Sequence, residues 1–273
     1  MATQERPAYG QEGASLLWNP DTGFYYLFLG FDNLTWSYHT RVGRSKSIDG
    51  PYFDRNGNPL VYHQETAGRD RVHGTKLVGP YLWTEADAGW MGLGHSTVFR
   101  DKHGNILFGS NAKWDSGTSY LFLRKTLWSD DGWPLLSPCV YAGEDVAESL
   151  RVPVESIVDG AEECVWEFLV FRVDHDPDNK RIDASNAHVL KRDGSFAGEP
   201  GHWKAIAGPN GTSMSVTLPN GVAATGKCLF GWDQDRRRQT VAFTGLTDAG
   251  VPVWGQRIGR REANASQAAG EER

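Results

Sequence analysis

Glu12 is the residue of this sequence whose type and position most directly offer chemistry. It lies near the start of residues 11–18, QEGASLLW, whose apolar end predicts a β-strand. A carboxyl group at a strand end can transfer a proton to a bound molecule, but such catalysis usually uses a second carboxylate. Only Glu5 precedes Glu12 among the acidic residues. Considered alone, Glu12 is most simply a solvated acid near a chain terminus.

His95 is the second candidate, within residues 92–96, GLGHS. A lone histidine in a strand-rich protein is most often a hydrogen-bonded core or surface residue, and no His or Cys lies beside it at metal-ligand spacing. The three cysteines are odd in number and widely spaced, which predicts no zinc site and no disulfide framework and leaves one disulfide open: Cys139, Cys164 and Cys228.

The composition narrows the class of protein. The 273 residues, 39% hydrophobic and 23% charged, are enough for one large domain or two ordinary ones. A net charge of -6 and a pI near 5.8 argue against general binding of nucleic acid or anionic membranes. The first twenty residues lack an apolar signal-peptide core and no run has the length of a membrane span, which predicts a cytoplasmic protein.

The elements that must position these residues are short strands. Residues 16–18, 24–31 and 38–45 are predicted strands separated by turns, and a similar set follows between residues 94 and 128. Two similar four-strand units indicate propeller blades. After a linker at 143–154, further strand and turn signals between residues 165 and 245 predict a small antiparallel barrel.

Several stretches, taken in order, resemble one known family. They are YYLF (25–28), RVGRSKSI (41–48), GPY (50–52), DRNG (54–57), GTKLVG (74–79), GLGHS (92–96), DGWP (131–134), YAGE (141–144), WEF (166–168), DGS (193–195), FTGL (243–246) and GVPVWG (250–255). The series resembles the endo-α-1,5-L-arabinanases of glycoside hydrolase family 43, and its later members resemble the accessory β-barrel of the extracellular bacterial and fungal enzymes. The resemblance covers about residues 9–259.

The resemblance implies an all-β fold in three parts. Residues 1–143 are expected to form a partial five-bladed β-propeller of about three blades. Residues 144–259 are expected to form the accessory β-barrel. Residues 260–273, rich in Ala, Glu, Arg and Gln, are expected to be a disordered tail.

The resemblance also implies the chemistry of an inverting glycosidase that acts on arabinan. Such an enzyme holds an acid and a base about 6.5–9.5 Å apart, so that a water fits between the base and the sugar. Glu12 falls on the position of the acid, although the proline that follows the acid in the family is replaced here by Ala14 or Ser15. The base and a third, tuning carboxylate belong in the family to two earlier blades, which the sequence as given does not contain.

Four further residues are candidates for binding roles, and the role of His95 follows from the resemblance. His95 corresponds to the histidine on the propeller axis that contacts a hydrated calcium ion, whose shell of six to eight oxygens would be mostly water. Trp18, Trp36 and Arg41 are candidates for substrate binding. For the tryptophans, packing between blades is the stronger alternative, and Arg41 could equally pair with a neighbouring acid.

Three blades of five leave two open strand edges, which are costly when exposed. Three outcomes stay open. The chain is part of a longer arabinanase whose other portion carries the base; it associates with itself or with another chain to close the ring; or it is a decayed glycosidase that binds carbohydrate without hydrolysing it. The first outcome is the main prediction, and the non-catalytic carbohydrate-binding protein is the alternative. No organic cofactor is expected.

Overall fold

The computed structural model of the chain describes residues 11–259 apart from residues 33, 35, 61–72, 85, 87, 115–116 and 174–181. Its elements are almost entirely β-strands. The first region holds β1 (Gln11–Asn19), β2 (Phe24–Phe31), β3 (His39–Ser45), β4 (Thr75–Val78), β5 (Tyr81–Leu82), β6 (Trp90–Met91), β7 (Thr97–Arg100), β8 (Ile106–Trp114), β9 (Ser119–Trp128) and β10 (Pro134–Leu136).

The second region begins with two short helices and continues in strands. The helices are α1 (Val146–Ser149) and a 3₁₀ helix (Val154–Val158). The strands are β11 (Glu163–Val170), β12 (Asp183–Ala184), β13 (Asn186–Lys191), β14 (Ser195–Phe196), β15 (Glu199–Gly208), β16 (Gly211–Thr217), β17 (Ala223–Asp233), β18 (Arg238–Leu246) and β19 (Pro252–Gly259). The predicted tail at 260–273 lies outside the described residues.

The strands of the first region form two open sheets. One sheet has the order β1-β2-β3-β4 and is antiparallel throughout. The other has the order β10-β9-β8-β6-β5-β12, with β7 also paired to β8. About three blades were expected, and the described residues form two sheets because β6 pairs with β8 and so joins β5 and β6 to the strands of the last blade.

The strands of the second region form a closed antiparallel barrel, in the order β11-β13-β14-β15-β16-β17-β18-β19. The barrel closes because β11 pairs with β13 on one side and with β19 on the other. The prediction of an all-β chain with propeller-type sheets followed by an antiparallel barrel is confirmed. The strand β12 is the exception within this region, since it leaves the barrel and pairs in parallel with β5.

Alternation along the strands explains how the sheets pack. In β2, Tyr26 and Phe28 are fully buried in the main core, whereas Tyr25 and Leu27 point to the opposite face, where they pack on a smaller apolar cluster. The main core continues into the barrel side through Trp254 and other residues of the second region. The main core therefore extends between the sheets and the barrel, and the barrel holds a second apolar cluster of its own.

The described part of the chain contains no helix that is long and apolar enough to cross a membrane. All three cysteines are free and buried, so the disulfide that the sequence left open is absent among them: Cys139, Cys164 and Cys228.

Candidate functional site

A β-bulge near the start of β1 sets the position of Glu12. Glu12 lies opposite Gly30 of β2, and the register then shifts before Ser15 pairs with Phe28. Gly13, inside the bulge, has φ of 61°, a left-handed conformation that glycine adopts without steric cost. Bulges commonly redirect a side chain next to a functional site. Here the bulge leaves the side chain of Glu12 half exposed, at 52%.

Tyr38 holds the carboxylate of Glu12. Its hydroxyl donates a hydrogen bond to Oε1 of Glu12 at 2.5 Å. The tyrosine itself is fully buried just before β3, so its ring is fixed by packing while its hydroxyl reaches the carboxylate of Glu12. Sequence reasoning did not find this contact, which joins residues 26 positions apart.

His95 completes the group. Its Nδ1 lies 3.7 Å from Oε1 of Glu12, and its side chain is 64% exposed. The backbone of His95 has φ of 48°, which a residue with a Cβ adopts only when its surroundings impose it. The structure thus brings together Glu12 and His95, which the sequence had proposed separately, and adds Tyr38 between them.

Three glycines make this close approach possible. A Cβ on Gly13 would lie 2.6 Å from Cα of His95, and one on Gly30 would lie 2.8 Å from the His95 nitrogen. A Cβ on Gly94 would lie 2.5 Å from the ring of Tyr38. These distances are shorter than real Cβ contacts, so each position requires glycine. These three glycines are a signal of a crowded site in the sequence. The signal can be interpreted only with the structure, which shows that the three positions lie close together.

The electrostatics keep Tyr38 a hydrogen-bond donor. Burial raises the pKa of Tyr38 above its ordinary value, and its hydrogen bond to Glu12 and the charge of that carboxylate raise the pKa further. A tyrosine with a raised pKa stays protonated at neutral pH. Glu12 therefore has one oxygen held by a neutral donor while its side chain is half exposed, an arrangement suited to proton transfer to a bound molecule.

The predicted substrate residues lie elsewhere. Trp18 is at the other end of β1, about 20 Å from Glu12 at ~3.3 Å per residue. It is 44% exposed, and its ring packs on Tyr25 with 4.6 Å between ring centroids. Trp36 lies partly buried in the turn before β3. Contact of these two rings with a sugar stays a prediction.

Arg41 points into the protein. It is 1% exposed, and its guanidinium donates to Nε2 of His39 and to the carbonyl oxygens of Gly74 and Val173. These bonds connect β3 to the chain that follows β11. The acceptors in these bonds are carbonyl and imidazole groups, while the charge of Arg41 also acts on the nearby Asp32. Contact of Arg41 with a substrate stays a prediction, to which its burial gives no support.

A cluster of buried ionisable side chains lies at the end of the first sheet that also carries Glu12. Burial lowers the pKa of His39 well below its ordinary value, so the imidazole is neutral; its Nδ1 hydrogen-bonds the carbonyl oxygen of Ser37. Burial lowers the pKa of Lys76 to about 7, while its Nζ donates to the carbonyl oxygen of Arg172 at 2.6 Å. Burial raises the pKa of Asp32 to about 6, against the opposing charges of Arg41 and Lys76.

Asp32 makes the stability of the fold depend on pH in a defined window. Because its folded pKa of about 6 exceeds the ordinary 3.8, the folded state binds more protons than the unfolded state between these values. The free energy of unfolding therefore falls as pH rises from 4 to 6. We expect Asp32→Asn to remove this slope and to be more stable than the wild type above pH 6, by up to about 3 kcal/mol.

Urea unfolding at several pH values from 4 to 8 measures this effect. Asparagine tolerates the left-handed backbone of Asp32, whose φ is 71°. Asp49→Asn, at an exposed position, is the matched control and should leave the pH profile of the wild type unchanged. Parallel profiles of the wild type and Asp32→Asn would show that Asp32 is ionised normally in the folded state.

The predicted calcium ion can be compared with the donors around His95. In the described ranges, no three His, Cys, Asp or Glu side chains gather where they could hold a metal ion. Glu12 is the only acidic side chain recorded beside His95 in that part of the chain, and its Oε1 already accepts from Tyr38. Calcium prefers six to eight oxygens, so these residues alone do not fit the ion, and we derive no catalytic step through it.

Comparison with known proteins adds to this geometry. Residues 2–134 match the family model described as glycosyl hydrolases family 43, and residues 138–255 match the one described as a C-terminal lipocalin-like domain. The extracellular endo-alpha-(1->5)-L-arabinanase 2 of Bacillus subtilis (strain 168) is 30% identical over 266 residues. That match covers 90% of this chain and 52% of the relative, so the chain spans about half the length of the curated relative.

Two solved structures are similar over both regions. The endo-1,5-alpha-L-arabinanase from Thermotoga petrophila RKU-1 aligns with a TM-score of 0.75 at 26% identity, over 91% of this chain and 55% of that chain. The glycoside hydrolase family 43 YxiA protein from Bacillus licheniformis aligns with a TM-score of 0.77 at 26% identity and the same coverage. The order of sheets followed by barrel is therefore shared with these proteins.

Proposed function

The chain belongs to family 43 of the glycosyl hydrolases through residues 2–134 and carries a C-terminal lipocalin-like domain in residues 138–255, and on this basis we propose that it acts on arabinan. The proposed activity is that of an endo-1,5-α-L-arabinanase, which hydrolyses the chain with inversion at the anomeric carbon. The observation that supports it most is the contact group of Glu12, Tyr38 and His95, because it presents one carboxylate, half exposed and held by a donor.

In this proposal Glu12 is the general acid. It gives its proton to the glycosidic oxygen as the bond to the anomeric carbon breaks, while a water attacks the opposite face of the sugar. The base that activates the water is a separate carboxylate. Within the part of the chain that the structure describes, the partners of Glu12 are Tyr38 and His95, and no acidic residue pairs with it. The chain spans about half of its curated relative.

The test is hydrolysis of linear α-1,5-arabinan by the purified chain, with xylan as the comparison substrate. Proton NMR of the first products gives their anomeric configuration. Release of inverted arabino-oligosaccharides, and none from xylan, would support the proposal. Products with retained configuration, or hydrolysis of xylan alone, would contradict it.

Binding without hydrolysis is the second candidate function. It is favoured by the exposed ring of Trp18, which can offer an apolar face to a sugar ring. Calorimetric titration with arabino-oligosaccharides separates the two candidates. Affinity for these ligands with no turnover of arabinan would favour a carbohydrate-binding protein.

Self-association is proposed through the open edge of the first sheet, where β1 is the edge strand. Leu16 and Trp18 of β1 are 43% and 44% exposed. An open edge that carries exposed apolar side chains is costly in water, so we expect two copies to pair there. Leu16→Lys should lower the apparent mass in sedimentation velocity to that of a monomer. Leu34→Lys, at another exposed leucine, is the control. A monomeric wild type would contradict the proposal.

Two other properties are predicted from the sequence. The curated relative is extracellular by name, whereas a cytoplasmic location of this chain stays a prediction. Calcium held at His95 through its water shell also stays a prediction, and arabinan hydrolysis measured with calcium and with a chelator tests it.

A further inference from the structure

Glu12 has two carboxyl oxygens, and their surroundings differ. Oε1 accepts from the hydroxyl of Tyr38 at 2.5 Å and lies 3.7 Å from Nδ1 of His95. For Oε2, the described residues give no hydrogen-bond partner. A carboxylic acid carries its proton on one oxygen, and an oxygen that accepts a short hydrogen bond is the poorer place for it.

We propose that Tyr38 positions Glu12 for catalysis, by holding Oε1 so that the transferable proton is carried by Oε2. The proposal rests on the general-acid role of Glu12. In the step, the Oε2–H bond breaks and the proton joins the glycosidic oxygen, which keeps the electron pair of the broken bond to the anomeric carbon. The attacking water supplies the new hydroxyl of the product.

The hydroxyl of Tyr38 is fixed from both sides. It donates to Glu12, and it accepts the backbone N–H of His95. The segment that carries His95 is itself attached to the Tyr38 backbone, since the Leu93 N–H donates to the Tyr38 carbonyl oxygen at 3.1 Å. Gly94 lies against the ring, where any Cβ would be 2.5 Å away. Tyr38 therefore cannot turn away from Glu12 without moving this segment.

The bond from Tyr38 also acts more strongly late in the reaction. While Glu12 is protonated, Oε1 is a neutral acceptor; once the proton has left, the same bond is charge-assisted and stronger. An interaction that strengthens as the acid ionises favours the transition state over the bound substrate. Tyr38 is thus expected to affect turnover more than substrate affinity.

The first measurement does not need activity. In protein labelled with ζ-¹³C tyrosine, the resonance of Tyr38, assigned by its loss in Tyr38→Phe, should shift as Glu12 titrates. In Glu12→Gln this shift should disappear. Tyr26 is the internal control, because its hydroxyl donates to the Gly132 carbonyl and bonds Thr22, away from Glu12. An identical Tyr38 titration in wild type and Glu12→Gln would overturn the proposal.

The second measurement is the pH profile of arabinan hydrolysis. Tyr38→Phe should lower kcat by about 10- to 100-fold with little change in KM. Its alkaline limb, where the acid loses its proton, should move to higher pH because the ionised carboxylate has lost a donor. Tyr26→Phe should change neither. A Tyr38→Phe protein with the kcat and pH profile of the wild type would contradict the positioning role.

The two measurements also separate this proposal from the proposed function. If the wild type does not hydrolyse arabinan while the NMR titration links Tyr38 to Glu12, the proposed arabinanase activity is contradicted. The contact between Tyr38 and Glu12 is then still supported. If arabinan is hydrolysed but the titration shows no link, the role of Tyr38 fails alone.

Discussion

Replacing Glu12 by glutamine should lower the turnover of linear arabinan by about 10²- to 10⁴-fold, the range that general acids contribute. Glutamine has the same shape, and its side-chain oxygen still accepts from Tyr38, so the site should keep its structure. It has no proton to give to the leaving oxygen. The affinity for arabino-oligosaccharides should change by only a few-fold, because the acid acts on the departing group in the transition state.

A substrate with a good leaving group gives the sharpest check of this role. An aryl arabino-oligosaccharide needs little protonation to depart, so Glu12→Gln should retain most of its activity there while losing it on arabinan. Glu162→Gln, at an exposed acid of the second region, is the matched control and should behave as wild type. Equal loss on both substrates would indicate that Glu12 has a role other than acid catalysis.

Gly13→Ala should produce the second large effect, on both stability and activity. Alanine would need φ of 61°, and its Cβ would lie 2.6 Å from Cα and 3.0 Å from the carbonyl carbon of His95. Because these are backbone atoms, no side-chain rotation relieves the contact. We expect a loss of about 2–4 kcal/mol in the free energy of unfolding. Activity should fall more than about tenfold, since displacement by an ångström is enough to misplace an acid.

Gly57→Ala separates the conformational cost from the contact. Gly57 has φ of 80°, and a Cβ there would meet no atom within 4 Å. Because alanine is strained in this left-handed backbone, Gly57→Ala should lower the free energy of unfolding by about 1 kcal/mol. It should keep full activity. Chemical unfolding and arabinan hydrolysis of the two variants give the comparison. If Gly13→Ala and Gly57→Ala behaved alike, the bulge would have no part in placing Glu12.

Sequence patterns predicted the parts of this protein that depend on local spacing. Strand and turn signals along the chain indicated the sheets and the barrel. The resemblance to arabinanases indicated Glu12 and His95 in separate roles, and the structure places their side chains 3.7 Å apart. Both inferences use order along the chain, which a single sequence displays directly.

What the sequence did not predict depends on contacts between distant segments. Tyr38 belongs to the site because the bulge at Gly13 and the segment at Gly94 converge on it. Arg41 was proposed as a substrate residue, yet the chain after β11 covers it, and Val173 accepts its hydrogen bond. Burial of that kind is a property of the packed molecule, so residue type and spacing could not show it.

The pairing of β12 with β5 has a consequence for how the two regions can exist apart. The two residues of β12 occupy the backbone donors and acceptors along one edge of the seven-stranded sheet. Without the second region, Tyr81 and Leu82 would form an unpaired sheet edge. The apolar core that includes Trp254 would then be exposed to water beside this edge. Such an edge is a template for strand addition by other chains. We therefore expect the second region to protect the sheets from aggregation, so that the sheet region is recovered in soluble form only together with it.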